Sequence, residues 1–415
     1  MPEDHFPLHP GLGSETAEEA AAADKLVGRL STVVFLEWLG AGAVLPLLPL
    51  YLRQHGASTA LVGLTMSSFF LAGIVFQFPA GRLADKIGRR PVLVGGLFIY
   101  AASSAAFLLP ISTTWFLVLR FIQGGAAGSV EVASLALVAA TIPMARRGRA
   151  VSRIFSAQLG GTAIGPVLGS IVGVHHMGFL FLTTAVLCSL AAVPVLTSSS
   201  IKEHDSKDHS EGPLIKIRAS RALSGALVAA VALGLTIGVY EACWSLLMSS
   251  RGASSFQVGL SWTLFSLPYV VLVRAGGWAA DHADRRLLAI GGLSVAILFC
   301  GIYAFVPSVL ALLLMAVIES SGFSFAMPAI QGLLTQGRRP QELGRIQGLY
   351  ATCQTGAIAL SAAVSGALFG VGRALPFVSA SIVGLILVLV VAVIWSAVPG
   401  RTSEVLSGPV PDGAR

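Results

Sequence analysis

Six ionisable residues interrupt otherwise apolar stretches of this 415-residue sequence and are its best candidates for chemistry: Glu37, Arg120, Glu131, Glu241, Arg274 and Glu319. An unpaired charge inside a bilayer costs several kcal/mol, so each of these side chains must face a partner or a polar cavity. Carboxyl groups in such a setting suit reversible proton binding or the binding of an organic cation. No metal site is expected, because the four cysteines have no metal-ligand spacing and are interpreted as small buried residues: Cys188, Cys243, Cys300 and Cys353.

Depth in the apolar stretches distinguishes these six residues. Glu37 and Glu319 fall near the midplane when about 1.5 Å per residue is counted from the start of each stretch. We therefore favour a functional role for both. Glu241 lies nearer the outer side, and Arg274 nearer the inner side, where we interpret it as a structural ion-pair residue.

The elements that must position these residues are membrane-spanning helices. The chain is 55% hydrophobic and 11% charged, with a mean hydropathy of +0.81, whereas soluble domains carry about a quarter charged residues. A helix needs about 20 mostly apolar residues to cross a bilayer. Twelve segments meet this requirement: 26–52, 60–81, 90–110, 113–142, 150–174, 177–197, 221–248, 257–280, 286–306, 307–335, 344–370 and 373–398.

The basic residues follow the positive-inside rule. Of the 27 Lys and Arg residues, 22 lie in alternate loops and the two tails, which predicts a multi-pass protein with both termini in the cytoplasm. The opposite loops hold three: Arg53, Arg251 and Arg373. This asymmetry explains the net charge of +7 without nucleic-acid binding. The expected location is the inner cell membrane.

The chain is an internal duplication. Shifting the sequence by 196 residues aligns 56–97 with 252–293, with 17 identities in 42 positions. We therefore predict an acidic cytoplasmic tail (1–25), a six-helix bundle (26–197), a cytoplasmic linker (198–220), a second six-helix bundle (221–398) and a cytoplasmic tail (399–415). Equal orientation of the halves implies an axis along the membrane normal.

One charged stretch carries a family resemblance. GRLADKIGRR (residues 81–90), between segments 2 and 3, resembles the signature loop of the major facilitator superfamily, and GWAADHADRR is similar to its weaker repeat between segments 8 and 9. The resemblance implies an all-α polytopic membrane protein with the major facilitator fold, two pseudo-symmetric six-helix bundles. It also implies a cytoplasmic gate formed by Gly81, Asp85, Gly88, Arg89, Arg90 and Asp281.

Two further stretches resemble the drug:proton antiporter branch. LRFIQGGAAG in segment 4 is similar to the arginine motif of proton-coupled members. Segment 5 carries GGTAIGPVLG, which resembles the antiporter motif through Gly161, Gly165, Pro166 and Gly169. This spacing of small residues permits close packing of another helix, and the proline bends its helix.

The resemblance and the buried residues together give candidate sites. Segments 1 and 4 are neighbours in such a bundle, so we expect Glu37 and Arg120 to approach each other across the cavity. The candidates for proton coupling are Glu37, Arg120, Glu131 and Glu319. The candidates for a cavity that binds lipophilic, cationic compounds are Phe35, Trp38, Gln123, Gln158, Tyr240, Glu241, Trp244, Glu319, Phe323, Tyr350 and Gln354.

We predict a secondary transporter that exports small amphipathic compounds in exchange for protons by alternating access. The alternative within this class is a transporter of one defined metabolite, such as a sugar, siderophore or lipid. An intramembrane enzyme is disfavoured because the sequence has no HExxH or GxSxG motif, and a sensor because the linker is short. The expected partners are substrate, protons and lipid, for a monomer without cofactor that draws on the proton gradient.

Overall fold

The structure, a computed structural model, describes residues 17–197 and 218–400, and all regular structure in these ranges is helical. The predicted linker and both predicted tails therefore lie largely outside the described residues. We label the long helices in chain order: α1 (Ala17–Val44), α2 (Thr59–Ile87), α3 (Arg89–Ala106), α4 (Thr113–Thr141), α5 (Met144–Val172), α6 (Met177–Leu196), α7 (Arg221–Val239), α8 (Ser255–His282), α9 (Arg285–Tyr303), α10 (Val309–Thr335), α11 (Pro340–Val371) and α12 (Leu375–Trp395).

Short helical segments extend two of these helices. A turn after α1 leads into the helix Leu48–Gln54. A π-helical turn, Tyr240–Trp244, continues α7 into the helix Ser245–Ser250. A π-helical turn holds one more residue per turn than an α-helix, and such turns often lie at functional sites. Here the turn contains Glu241.

Eleven helical stretches in the described residues are long and apolar enough to cross a membrane. The twelfth predicted span corresponds to α3, which has 18 residues and begins with Arg89 and Arg90. Because the helix is only 18 residues long, these two arginines count in full and lower its mean hydropathy below that of the other eleven.

Several helices extend beyond their apolar segments. α1 begins at Ala17 rather than at residue 26, because residues 17–25 are mostly alanine, a strong helix former. α5 begins at Met144 rather than 150 and includes a run of arginines. The predicted loop 81–90 is also mostly helical: α2 continues to Ile87, and only Gly88 separates it from α3.

We name the two ends of the bundle by their charge. The basic face contains the Arg- and Lys-rich residues 81–90, 144–153, 281–286 and 338–345. The opposite face contains the turns at 45–58, 173–176, 251–254, 304–308 and 372–374.

The helices pack as two equivalent sets of six. In the first half, α1 packs on α5 and α6, and α4 packs on α2 and α3. In the second half, α7 packs on α11 and α12, and α10 packs on α8 and α9. Two pairs of helices join the halves: α2 with α11, and α5 with α8. Under the 196-residue shift α2 corresponds to α8 and α5 corresponds to α11, so each of these contacts is the repeat of the other.

Glycines allow the halves to meet at the opposite face. A Cβ atom added at Gly63 of α2 would lie 2.5 Å from the carbonyl oxygen of Ala362 in α11. Its repeat partner Gly259 of α8 makes the equivalent contact with Pro166 and Ser170 of α5. The residues concerned correspond pair by pair under the 196-residue shift. We call these two contacts the glycine seam.

Two hydrogen bonds reinforce this closure in the described residues. Ser245 Oγ donates to the Pro46 carbonyl oxygen at 2.6 Å, and Thr263 Oγ1 donates to the Ala163 carbonyl oxygen at 2.8 Å. The structure is therefore closed at the opposite face.

Candidate functional site

A cavity of about 210 Å³ lies mainly in the first half and contains two predicted coupling residues, Glu37 of α1 and Glu131 of α4. Their carboxyl groups lie close enough to interact electrostatically. Glu37 is buried, whereas Glu131 and Phe155 on the cavity wall are exposed. Because the opposite face is closed, this cavity opens toward the basic face. We call it the first chamber.

Both halves contribute to the wall of the first chamber. Trp38 and Gln158, which were predicted to line the substrate cavity, line the first chamber. Thr355 of α11 completes the wall from the second half. It lies next to the predicted residue Gln354, whose carbonyl oxygen instead packs against Gly234 of α7.

Arg120 of α4 is buried away from Glu37. Its guanidinium stacks on the ring of Phe69 at 4.3 Å and donates to Gln123 Oε1 at 3.1 Å. The described residues contain no Glu37–Arg120 ion pair, and Tyr100 of α3 interacts with both groups. The expected direct approach of Glu37 to Arg120 is therefore wrong for this conformation. α1 and α4 make few contacts because α1 packs instead on α5 and α6.

Gln123 has a positioning role in this arrangement. It is buried, and its amide nitrogen donates to Ser104 Oγ at 2.9 Å. Its side chain therefore holds the arginine rather than lining the first chamber.

A second cavity of about 260 Å³ surrounds Glu319 of α10. The Glu319 carboxylate accepts hydrogen bonds from the Tyr240 hydroxyl at 2.9 Å and from the Tyr303 hydroxyl at 2.7 Å. The Trp244 ring packs on both tyrosines, with ring centroids 5.7 and 4.8 Å away. We call this cavity the second chamber.

Aromatic side chains form most of the second chamber's remaining wall. Phe323 of α10, a predicted cavity residue, packs on Phe265 and Tyr269 of α8. Leu159 and Thr162 of α5 bring the first half to this wall. The chamber thus presents one carboxylate within an apolar, aromatic surface.

Sequence reasoning missed four aromatic residues of this wall: Tyr303, Tyr269, Trp262 and Phe265. No residue spacing identifies Tyr303, because its contact with Glu319 depends on which faces of α9 and α10 meet. The segment-8 aromatics recur at 262, 265 and 269, one face of a helix, and this periodicity was the available signal.

Other predicted cavity residues lie elsewhere. Phe35 packs on the glycine face of α5 at Gly160, and Tyr350 is buried in the core of the second half. Glu241 is buried near Arg120 and lines neither chamber. Arg274 is exposed on α8 and forms no ion pair with any described residue, so its interpretation as a structural ion-pair residue is wrong.

The glycines of α5 pack α5 against α1. Cβ atoms added at Gly161 and Gly165 would lie 2.9 and 2.7 Å from the carbonyl oxygens of Phe35 and Leu39. Gly169 makes the equivalent contact with Ala43. The motif therefore fixes a contact within the first half. Ala163 and Pro166 of this stretch, through their carbonyl oxygens, reach α8 of the second half.

The two signature turns at the basic face differ in construction. Gly88 forms the first turn with a positive φ of 99°, a conformation that favours glycine. Asp284 forms the second and caps α9, accepting from the Arg286 backbone N–H at 2.8 Å. The Arg286 guanidinium also donates to Asp284, and these hydrogen bonds hold the pKa of Asp284 below its usual value.

The second arginine of each signature ties its turn to the end of its own half. Arg90 donates to the carbonyl oxygen of Leu196, the last residue of α6. Arg286 donates to the Val398 carbonyl oxygen, just after α12, at 2.8 Å.

The aspartates of the two signatures differ as well. Asp281 accepts from Arg285 at 3.1 Å. Asp85 is exposed and has no hydrogen bond or ion pair with a described residue. Gly81, by contrast, packs near Val132 of α4.

Comparison with known proteins decides the family. The Major Facilitator Superfamily model matches residues 30–242 and 222–411 of this chain. The chain belongs to the major facilitator superfamily. Its predicted family and all-α fold are thereby confirmed, and as a facilitator it moves small molecules across a membrane.

Named relatives support the predicted branch of the superfamily. This facilitator is 27% identical over 400 residues to a multi-drug resistance efflux pump PmrA homolog of Lactococcus lactis, covering 89% of this chain and 95% of that protein. It is 25% identical over 342 residues to the class E tetracycline resistance protein of Escherichia coli, covering 76% and 81%.

A solved structure shows the same fold. The nucleoside transporter NupG superposes with a TM-score of 0.72 at 13% identity, covering 89% of this facilitator and 99% of that chain. At this identity the likeness concerns the fold alone.

Proposed function

We propose that this facilitator exports small amphipathic compounds, with a preference for lipophilic cations, in exchange for protons. The observation that carries the proposal is the second chamber, where Glu319 is the one carboxylate among aromatic rings. A carboxylate in a poorly hydrated site attracts a cation strongly, and tyrosine and tryptophan rings add cation–π attraction. The similarity to proteins named for multidrug and tetracycline resistance supports export of drug-like compounds.

Proton exchange is assigned to the first chamber. Glu37 and Glu131 lie together there, and the exposed Glu131 connects the buried Glu37 to solvent. Two carboxyl groups within electrostatic reach of each other are suited to exchanging a proton when the conformation changes. No metal or other cofactor is needed for this cycle.

The orientation follows from charge. We assign the basic face to the cytoplasm of an inner membrane, with both termini on that side. The conformation described above is then inward-facing, and the second chamber receives compounds from the cytoplasm.

A transport assay tests the proposal. The protein is reconstituted in liposomes with the basic face accessible from outside, and a pH gradient, acidic inside, is imposed. We expect accumulation of the cationic dye ethidium, collapse of that accumulation by a protonophore, and proton release coupled to dye entry. Matched assays with a neutral dye, a nucleoside and a sugar define specificity. Gradient-driven movement of only the nucleoside or the sugar would replace this proposal with the single-metabolite alternative.

A further inference from the structure

A buried charge pair spans the two halves beneath the glycine seam. Arg120 belongs to α4 of the first half, and Glu241 belongs to the π-helical turn of the second half. Their exposed fractions are 3% and 9%. Neither lines the chambers to which we assign substrate and protons.

Both residues have polar atoms left without partners. Arg120 Nε and Nη2 and Glu241 Oε2 are fully buried and form no hydrogen bond with a described residue. Gln123 satisfies only Nη1 of the arginine, and Phe69 covers the guanidinium face. A buried polar group without a hydrogen bond is costly, so native structures seldom leave such groups on two interacting charged residues without a bridging group.

The two charges act on each other across the interface. Arg120 and Glu241 are mutual electrostatic partners, although they form no direct ion pair in the described residues. Tyr100 is the other ionisable group that faces Arg120. The unpartnered atoms are two donors and one acceptor, a set that one water molecule can join.

The backbone around the pair couples it to closure. Phe69, which stacks on Arg120, lies on α2, the same helix that carries Gly63 of the seam. The π-helical turn itself packs on α2 and α11, the helices that meet at that seam. Separation of α2 from α11 therefore moves Glu241 relative to Arg120.

We propose that Arg120 and Glu241 form a water-bridged ion pair between the halves and that this pair stabilises the conformation closed at the opposite face. Loss of one partner leaves the other charge buried without compensation, which favours a conformation that hydrates it. Glu241 is on this basis a positioning residue for the conformational change, and it does not contact substrate. The inference stands on the interface alone and holds whether or not protons drive transport.

Distances between spin labels test the pair without any transport assay. The four native cysteines are replaced, and labels are placed at Gln54 and Ser249, which are exposed on the two halves at the opposite face. A second label pair, Lys86 and Gly348, reports the basic face. E241Q and R120Q should each reduce the ratio of the closed to the open opposite face by at least about tenfold.

A double-mutant cycle isolates the interaction. R120Q/E241Q should shift the ratio no further than one single substitution, and the exchanged pair R120E/E241R should return it to within about threefold of the parent. E241D retains the charge and should shift the ratio less than E241Q. If an arginine variant does not fold, the comparison of E241D with E241Q still tests the charge of Glu241. Y100F removes the alternative partner of Arg120 and should leave both label distances unchanged.

Two results would overturn the proposal. One is an unchanged Gln54–Ser249 distance distribution in folded E241Q. The other is strict additivity of the two glutamine substitutions, which would mean that each residue acts alone. A shift in Y100F equal to that of E241Q would transfer the role to the Tyr100 hydroxyl and likewise refute the pair.

Discussion

The two halves of this facilitator share a fold but hold their buried carboxyl groups differently. Glu319 in the second half is fixed by two tyrosine hydroxyls and enclosed by aromatic rings. Glu37 in the first half lies beside a second carboxyl, Glu131, in a chamber that solvent reaches. Duplication therefore preserved the scaffold, while the surroundings of the carboxyl groups diverged: tyrosine hydroxyls hold one carboxyl group in the second half, and two carboxyl groups lie side by side in the first.

The helix contacts beneath the chambers diverged as well. In the first half Gly161, Gly165 and Gly169 of α5 pack on α1, and Gly42 of α1 packs on α5. In the second half Gly234 and Gly238 of α7 pack on α11. Gly238 corresponds to Gly42 of α1 under the 196-residue shift, and α11 has Ala357, Ser361 and Ser365 at the positions that match the α5 glycines. Each half thus brings the same two helices together through small residues, but at this contact the first half has glycine on both helices and the second half has it on α7.

The sharpest test of the divided roles is the loss of the Glu37 carboxylate. Glu37→Gln resembles the permanently protonated state, so gradient-driven accumulation of ethidium should fall to the level of empty liposomes. Exchange of labelled for unlabelled dye across the membrane should continue, because the second chamber is intact. Proteoliposome flux with and without a pH gradient measures both. Uphill transport by the variant would assign proton coupling to Glu131 or Glu319 instead.

The second comparison concerns substrate charge. Glu319→Gln should weaken binding of a lipophilic cation by about tenfold to a hundredfold, which corresponds to a lost charged contact, and that of a neutral analogue by less than about twofold. Titration of the purified protein with paired cationic and neutral dyes measures the difference.

Tyr303→Phe removes one hydroxyl donor from Glu319 and is the matched control for that titration. It should weaken cation binding by only about twofold to tenfold. Equal losses for cationic and neutral dyes in Glu319→Gln would indicate that Glu319 supports the chamber rather than the ligand charge.

The glycine seam offers the next largest effect. Gly63→Val inserts side-chain atoms against the Ala362 carbonyl, and overpacking of this kind costs about 1–3 kcal/mol. The closed-to-open ratio at the opposite face should fall by about fivefold to a hundredfold, and Gly259→Val should act similarly if the halves are equivalent there. Labels at Gln54 and Ser249 measure the ratio.

A glycine with free space around it provides the control for the seam. Gly95 lies in α3, and an added Cβ would meet nothing within 4 Å. Gly95→Ala should leave the ratio unchanged. A closed population in Gly63→Val equal to that of the parent would show that the backbone adjusts and that the seam does not set the closed state.

Much of this architecture follows from sequence pattern alone. Long apolar segments and the 196-residue repeat predict twelve spans in two halves, because burial in lipid constrains length and composition strongly. The ends of the helices are less predictable. α2 continues through a charged stretch and ends at Ile87, before Gly88 with its positive φ.

The sites depend on helix rotation, which apolar periodicity does not encode in a chain that is hydrophobic all round. Glu37, Glu131 and Glu319 could be identified because charge in an apolar segment is costly. Their partners could not. The hydrogen bond from Tyr303 to Glu319 and the electrostatic interaction of Glu241 with Arg120 can be identified only when the rotation of each helix is known. Gln123 illustrates the same point, since a polar residue in a span can serve a buried arginine as readily as a cavity.

The smallest effect is expected at the signature turns, where Asp284 of the second half replaces Gly88 of the first. The lowered pKa of Asp284 means that its ion pair with Arg286 stabilises the folded state above the ordinary pKa of aspartate, about 3.9, and that this contribution is lost as the pH falls through the lowered value. Because the side chain is partly exposed, we expect Asp284→Asn to lower Tm by only about 2 °C at pH 7. Melting curves of parent and variant in detergent should converge once the pH falls below the lowered pKa of Asp284. Gly88→Ala, in the equivalent turn, should lower Tm by a similar amount at every pH, because backbone strain does not titrate. A difference between Asp284→Asn and the parent that persisted at low pH would mean that the contribution of Asp284 does not come from its charge.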